Sequence, residues 1–152
     1  MTAQAPAPGP FVDPLIARLY DYWDAKRAGR IAPARADIDP IDFPWILADV
    51  ALAEVEGRPP QARYRYRLIS EQLIHYTGLN LAGRYLDEMP LPEFRDRVTR
   101  SYDAVVTDRA PRHGTRDTVF DGRIRRYEFL ILPLSRDGIR VDMLLIALRA
   151  TA

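Results

Sequence analysis

The sequence predicts an α+β fold: a five-stranded antiparallel sheet with a helical middle on one face and an N-terminal amphipathic helix. Three observations support this. The chain has 152 residues, a usual length for one domain. Strand patterns lie at 50–69 and 112–148, with helical spacing before and between them. Because strands cluster at two places instead of alternating with helices, the sheet should be antiparallel.

The N-terminal part predicts a tail, one helix and a loop. The first ten residues are rich in alanine and proline, so residues 1–11 are expected to be a disordered tail. Asp13 and Pro14 favour a helix start, and Gly29 favours its end. Helical spacing runs through Leu15, Ile16, Leu19, Tyr20 and Trp23. Residues 12–48 are therefore expected to form this helix and a connecting loop.

Two strands and two helices are predicted next. Residues 50–56 and 63–69 have strand composition on either side of a Gly-Arg-Pro-Pro turn. The second strand alternates arginines with an apolar face made of Tyr64, Tyr66 and Leu68. A short helix is expected over 71–76 and a longer one from Pro92. The longer helix carries one apolar stripe, made of Phe94, Val98, Tyr102 and Val105.

Three further strands are predicted, at 112–120, 123–134 and 139–148. Asp121-Gly122 and Asp137-Gly138 are the turns between them. The last two strands contain continuous apolar runs, so both of their faces should be covered. The helical middle covers one face, and the N-terminal helix either folds back on the other or packs in a dimer. We expect a homodimer, with contacts from Leu15, Leu19 and Trp23.

Composition excludes several classes of function. The formal net charge is +1, from 22 basic and 21 acidic residues, which argues against a nucleic-acid partner. The sequence has no cysteine, which excludes disulfides, thiolate metal sites and a cysteine nucleophile. The longest purely apolar run, Met143 to Leu148, is far shorter than a membrane span. We expect a cytoplasmic protein that binds neither membrane nor nucleic acid.

Motifs for catalysis and metal binding are missing from the sequence. No serine lies in a Gly-x-Ser-x-Gly sequence, and no glycine-rich phosphate loop is present. Haem ligation through His75 is disfavoured because a partly exposed helix histidine explains the residue better. His113, at a strand start, is expected at the surface, and two histidines so far apart predict no zinc or iron site. The sequence therefore predicts no enzyme, no cofactor and no metal.

Three carboxylates lie close together in the predicted loop, at Asp37, Asp39 and Asp42. Their spacing invites an acid-base or metal-binding interpretation. They flank prolines, however, where aspartate bonds its own backbone, and Arg35 offers a salt-bridge partner. The structural interpretation is favoured, and the role of these residues stays open.

A group of local patterns carries a family resemblance. The second strand ends at Ser70, a short helix runs through Tyr76 to Gly78, and a second glycine follows at Gly83. Further matching stretches are Pro33–Pro40, Tyr66–Leu68, Thr77–Arg84 and Leu132–Gly138. In these residues the chain resembles PAS domains, especially small single-domain bacterial PAS proteins. The resemblance implies a PAS-like domain at 49–150 with a sensory or docking role and no assigned chemistry.

The aromatic residues of the helical middle and second strand can be interpreted in two ways. They can form an ordinary packed core, or a small pocket in which buried tyrosine hydroxyls find partners. The walls of such a cavity would be Tyr66, Leu68, Leu73, Tyr76, Phe94, Val98 and Tyr102. It would accept a small apolar or aromatic ligand.

Two functions therefore stay open at this point. The first is a sensory or regulatory domain that binds a small molecule in its core and signals through an unidentified partner protein. The second is a protein-docking or dimerisation module with a filled core and no ligand.

Overall fold

The computed structural model describes residues 8–120 and 122–151. Within them the helices are α1 (Pro14–Arg27), α2 (Glu71–Thr77) and α3 (Pro92–Asp108). The strands are β1 (Val50–Glu56), β2 (Arg63–Ile69), β3 (Arg112–Phe120), β4 (Arg123–Leu134) and β5 (Met143–Ala150). Residues 1–7 of the predicted tail and Asp121 of the predicted turn lie outside the described residues. Of the helices described, none is both long and apolar enough to cross a membrane.

The five strands form one antiparallel sheet in the order β2-β1-β5-β4-β3. This confirms the predicted fold class and the bounds of the first four strands. The last strand starts at Met143 and not at Ile139, because a turn occupies the residues before it. The Asp137 carboxylate accepts the backbone N–H groups of Ile139 and Arg140, each at 2.8 Å. Those N–H groups are therefore not available to a sheet ladder.

Helix α1 begins as the sequence predicts and folds back on its own sheet. The Asp13 side chain accepts the N–H of Leu15 at 2.8 Å, which caps the helix. Leu19 and Trp23 are both 0% exposed, because they pack on the outer face of the sheet. The indole N–H of Trp23 also donates to the carbonyl oxygen of Pro133 at 2.8 Å. Of the two arrangements that the sequence left open for this helix, the single chain adopts the first.

Alternation along the central strands separates two cores. In β5, Leu145 and Ala147 belong to the outer core under α1, whereas Leu144 and Ile146 belong to the inner core under α2 and α3. All four residues are buried. The prediction that the last strands are covered on both faces is confirmed.

A buried carboxylate fastens the chain ahead of α1 to the sheet. Glu128 in β4 is 0% exposed and accepts the backbone N–H groups of Val12 and Asp13, each at 2.7 Å. Its Oε2 also lies 2.7 Å from Nε2 of His113 in β3. His113 is largely covered, since the Phe11 ring lies 4.6 Å from its ring. The prediction that His113 lies at the surface is therefore wrong, because the segment around Phe11 covers it.

Candidate functional site

A cavity of about 100 Å³ lies between the inner face of the sheet and the helices α2 and α3. Five of the seven side chains predicted for its wall line it: Tyr66, Leu73, Phe94, Val98 and Tyr102. Strands further along the sheet complete the wall with Phe129, Ile131, Ile146 and Leu148. The wall is therefore mostly apolar, and it includes side chains from the sheet, from α2 and from α3.

The space lies under the first half and the middle of α3, where Tyr102 also lines it. Phe94 and Val98 line the cavity from the first half and are only partly buried. Val105 and Val106, in the last turns of the same helix, are buried in the packed part of the inner core. The apolar stripe of α3 therefore closes the core at one end and leaves room at the other.

Leu68 does not line the cavity, because the pairing of β1 with β2 contains an irregularity. Leu52 pairs with Leu68, but the next residue of β1, Ala53, pairs with Tyr66, so β2 has one extra residue. Leu68 therefore lies beside Leu52, which belongs to the outer core, and it is 36% exposed. Ile69 lines the cavity in its place. The prediction of Leu68 as a wall residue is wrong, because it assumed uninterrupted alternation.

Tyr76 is next to the cavity wall without being part of it. Its ring lies 5.2 Å from the ring of Tyr127, which does line the cavity. Tyr76 thus supports a wall residue from the side of α2. The sequence pattern assigns Tyr76 to the correct helix, but its side chain lies behind the cavity wall and not in it.

Two tyrosine hydroxyls meet at the cavity. The hydroxyls of Tyr66 in β2 and Tyr102 in α3 lie 2.9 Å apart, and both side chains are buried. Burial raises the pKa of Tyr66 to about 12. Burial, and then the neighbouring Tyr66, also raises the pKa of Tyr102. Both groups are therefore neutral hydrogen-bonding groups at ordinary pH, and each supplies the partner that a buried hydroxyl needs.

One cationic side chain lines the cavity, and the sequence pattern did not predict it. Arg116 reaches the wall from β3, and its Nη2 donates to the Ser101 hydroxyl of α3 at 3.1 Å. Its guanidinium carbon lies 4.7 Å from the centre of the Phe129 ring. That ring leaves no space for a side chain at Gly114, where an added Cβ would lie 2.9 Å from it. The segment around Arg116 has no apolar alternation, so its inward face could not be recognised from the residues alone.

The predicted aspartate cluster is a set of turn contacts. Asp37 accepts the N–H of Ala34 at 2.9 Å and pairs with Arg30 at 3.1 Å, so Arg30 replaces the expected partner Arg35. Asp39 accepts the N–H of Ile41, and Asp42 accepts the hydroxyl of Tyr22. In the described part of the chain, no group of three or more His, Asp or Glu side chains is placed to hold a metal ion.

The side chains predicted as dimer contacts lie within the monomer core. Leu19 and Trp23 are 0% exposed on the side of α1 that faces the sheet, and Leu15 packs against the same cluster. In this fold, Leu19 and Trp23 are not accessible to a second chain, so their predicted role in a dimer is wrong. A homodimer through another surface stays a prediction. His75 is exposed on α2, away from the cavity wall.

Comparison with known proteins agrees with this architecture. A family model described as PAS domain matches residues 13–148, so the chain belongs to the PAS domain family. PAS domains commonly serve sensing and signalling. The PAS domain from Bordetella pertussis BvgS is 16% identical and gives a TM-score of 0.54, covering 76% of this chain and 88% of that one.

A second solved structure is a light-oxygen-voltage domain, the mechanism of which was probed with a flavin analogue. It is 14% identical and gives a TM-score of 0.50, covering 69% of this chain and 78% of that one. At these identities the two structures support the fold alone. No curated protein matches the chain.

Proposed function

We propose that this protein is a sensory PAS domain that binds a small molecule in its inner cavity and signals through a partner protein. The observation that carries the proposal is the cavity of about 100 Å³ between the sheet and α3, with a mostly apolar wall and a few polar groups. Such a combination is typical of ligand sites. The protein would act by binding and not by turnover.

The volume limits the ligand to a small molecule. An engineered protein cavity of about 150 Å³ binds benzene, so a space of about 100 Å³ can hold an apolar group of that size only if the walls move apart. The flavin of light-oxygen-voltage domains is a poor fit here. The space is too small for its three fused rings, and the sequence has no cysteine with which to bond it. We therefore propose no flavin cofactor.

The route from the cavity to a partner would run through the hairpin of β3 and β4. Thr118 lines the cavity, and the next residue, Val119, is 60% exposed. Val119 pairs with Ile124, which is 75% exposed. A ligand that moves the inner side of this hairpin would also move an exposed apolar pair on its outer side. Partner proteins commonly bind exposed apolar residues.

A substitution that fills the cavity tests the proposal. In Val98→Trp the larger side chain should occupy the space, abolish ligand binding and leave the melting temperature within a few degrees of wild type. Val119→Trp adds the same side chain at an exposed position and should retain binding. Native mass spectrometry for a co-purifying molecule and thermal melts with small apolar acids and aromatics are the measurements.

The alternative is a docking or dimerisation module with a filled core, favoured by the exposed Val119 and Ile124 pair. In that case Val98→Trp would overpack the core, at a cost of about 1–3 kcal/mol. Native mass spectra would also show no bound molecule, and no compound would raise the wild-type melting temperature. That combination would reject the sensor proposal in favour of the docking module.

A further inference from the structure

Within the part of the chain that the structure describes, Arg116 is a half-buried cation with no acidic partner. A guanidinium has five N–H donors, and those of Arg116 have one acceptor, Ser101 Oγ, among residues 8–120 and 122–151. No Asp or Glu of these residues forms an ion pair with it, whereas exposed arginines such as Arg63 and Arg126 have aspartate partners. A partly desolvated charge normally has a counter-ion. An anion is therefore the kind of group that would complete the contacts of Arg116.

The surroundings of Arg116 are positive as well. Arg97 and Arg100 of α3 and Arg112 of β3 are the charged groups that act on it, together with the polar Tyr102. Burial, followed by repulsion from Arg97, lowers the pKa of Arg116. A site with one sign of charge and an apolar wall attracts ions of the opposite sign. An anion bound here would offset both the burial and the repulsion.

We propose that the ligand of the cavity is a small organic carboxylate with an apolar or aromatic skeleton, and that Arg116 binds its carboxylate group. This inference rests on the proposed function. The planar guanidinium can donate two parallel hydrogen bonds to a carboxylate, while the skeleton lies among Val98, Phe129 and Ile146. One guanidinium in a wall around about 100 Å³ matches a compact monoanion better than a doubly charged phosphate ester.

Matched pairs of acids and amides test the inference. Benzoate and benzamide have the same skeleton, as do hexanoate and hexanamide, but the amides lack the charge. Isothermal titration calorimetry would measure each probe with the wild type, with Arg116→Gln and with Arg123→Gln. Arg123 is the exposed first residue of β4 and does not line the cavity, so its substitution makes the same charge change outside the wall.

Wild type and Arg123→Gln should bind each acid about ten-fold or more tightly than its amide. Arg116→Gln should lose this preference and bind the amides within about two-fold of wild type. Raising the salt concentration should weaken binding of the acids to wild type more than binding of the amides. The salt arm needs no variant, so it still tests whether the cavity selects an anion if Arg116→Gln does not fold.

Equal affinity for acid and amide in the wild type, with no difference in salt dependence, would overturn the role of Arg116 and leave the sensor proposal standing. The role of Arg116 would also be overturned if Arg116→Gln folds and keeps the preference for acids. If no acid and no amide binds to the wild type, and native mass spectra show no co-purifying molecule, the sensor proposal fails together with this inference.

Discussion

The two faces of the sheet differ in how completely they are packed. On the outer face, α1 buries Leu19 and Trp23 at 0% exposure, and Glu128 fastens the chain ahead of the helix. On the inner face, α3 packs tightly only in its last turns and leaves about 100 Å³ under Phe94, Val98 and Tyr102. The same strands are thus covered by a close-packed layer on one side and by a layer that contains a cavity on the other.

This difference assigns separate tasks to the two layers. Close-packed layers resist deformation, because moving one side chain disturbs several neighbours. A layer with a cavity can instead change its packing when a ligand enters. Under the proposed function, the outer layer provides the stability that holds the sheet, and the inner layer would respond to ligand without unfolding the domain.

The largest expected effect tests this division directly. Trp23→Ala removes a fully buried ring and its hydrogen bond to Pro133, and should reduce the free energy of unfolding by about 3–5 kcal/mol. Val98→Ala removes a side chain that already lines an empty space, so it should cost less than about 1.5 kcal/mol. Denaturant unfolding measures both. Equal losses of unfolding free energy in the two variants would contradict the difference in packing between the outer and inner layers.

The next expected effect concerns the attachment of the N-terminal segment. Glu128→Ala leaves two backbone N–H groups and His113 without their shared acceptor in a buried place. Because these buried groups lose the carboxylate that they share, the free energy of unfolding should fall by about 3 kcal/mol. Hydrogen exchange should then increase at Val12 and Asp13 and along α1.

A matched control lies two residues away along the same strand. Arg126→Gln removes an exposed ion pair with Asp117 and should cost less than about 1 kcal/mol, with no change of exchange in α1. If Glu128→Ala is as mild as this control, the N-terminal segment is held mainly by the apolar contacts of Phe11 and not by the carboxylate.

Most of the fold could be predicted because its signals are local. The bounds of β1 to β4 follow from composition and turn residues, and the start of α1 follows from the Asp13 cap. The strand pattern puts the start of β5 too early, because the carboxylate of Asp137 holds two N–H groups that the pattern alone assigns to the sheet. Because Ile139 is apolar, the sequence pattern assigns it to the strand although it belongs to the turn.

The site could be predicted only in part, because its remaining features depend on contacts between distant segments. The extra residue of β2 appears only when β1 pairs with it, which moves Leu68 to the other face. Arg116 becomes a cavity residue through its contact with Ser101, and His113 becomes largely covered through Phe11, about a hundred residues earlier in the chain. None of these contacts leaves a pattern in neighbouring residues.

The smallest expected effect concerns pH dependence at the inner face. Burial raises the pKa of Tyr66 to about 12 in the folded protein, whereas an unfolded tyrosine titrates near 10, and Tyr102 shifts in the same direction. The unfolded state therefore releases these protons first as the pH rises. The stability that the neutral hydroxyls contribute is complete below about pH 10 and declines between about pH 10 and 12.

Replacing both tyrosines tests this dependence at the cavity. A Tyr66→Phe/Tyr102→Phe variant removes both hydroxyls of a hydrogen-bonded pair, so its stability at pH 7 should stay within about 1–2 kcal/mol of wild type. Its free energy of unfolding should decline less steeply than that of wild type between about pH 10 and 12. Tyr85→Phe removes one exposed hydroxyl, the pKa of which is raised mainly by its bond to Glu56, so its slope should lie between those of wild type and the double variant. Urea unfolding at several pH values gives the three slopes.

If the free energy of unfolding of the double variant declines as steeply as that of wild type, the two hydroxyls are reached by water in the folded state. The inner face would then be wetter than its mostly apolar wall indicates, and a buried ion pair between a ligand carboxylate and Arg116 would lose the shielding from solvent that strengthens it.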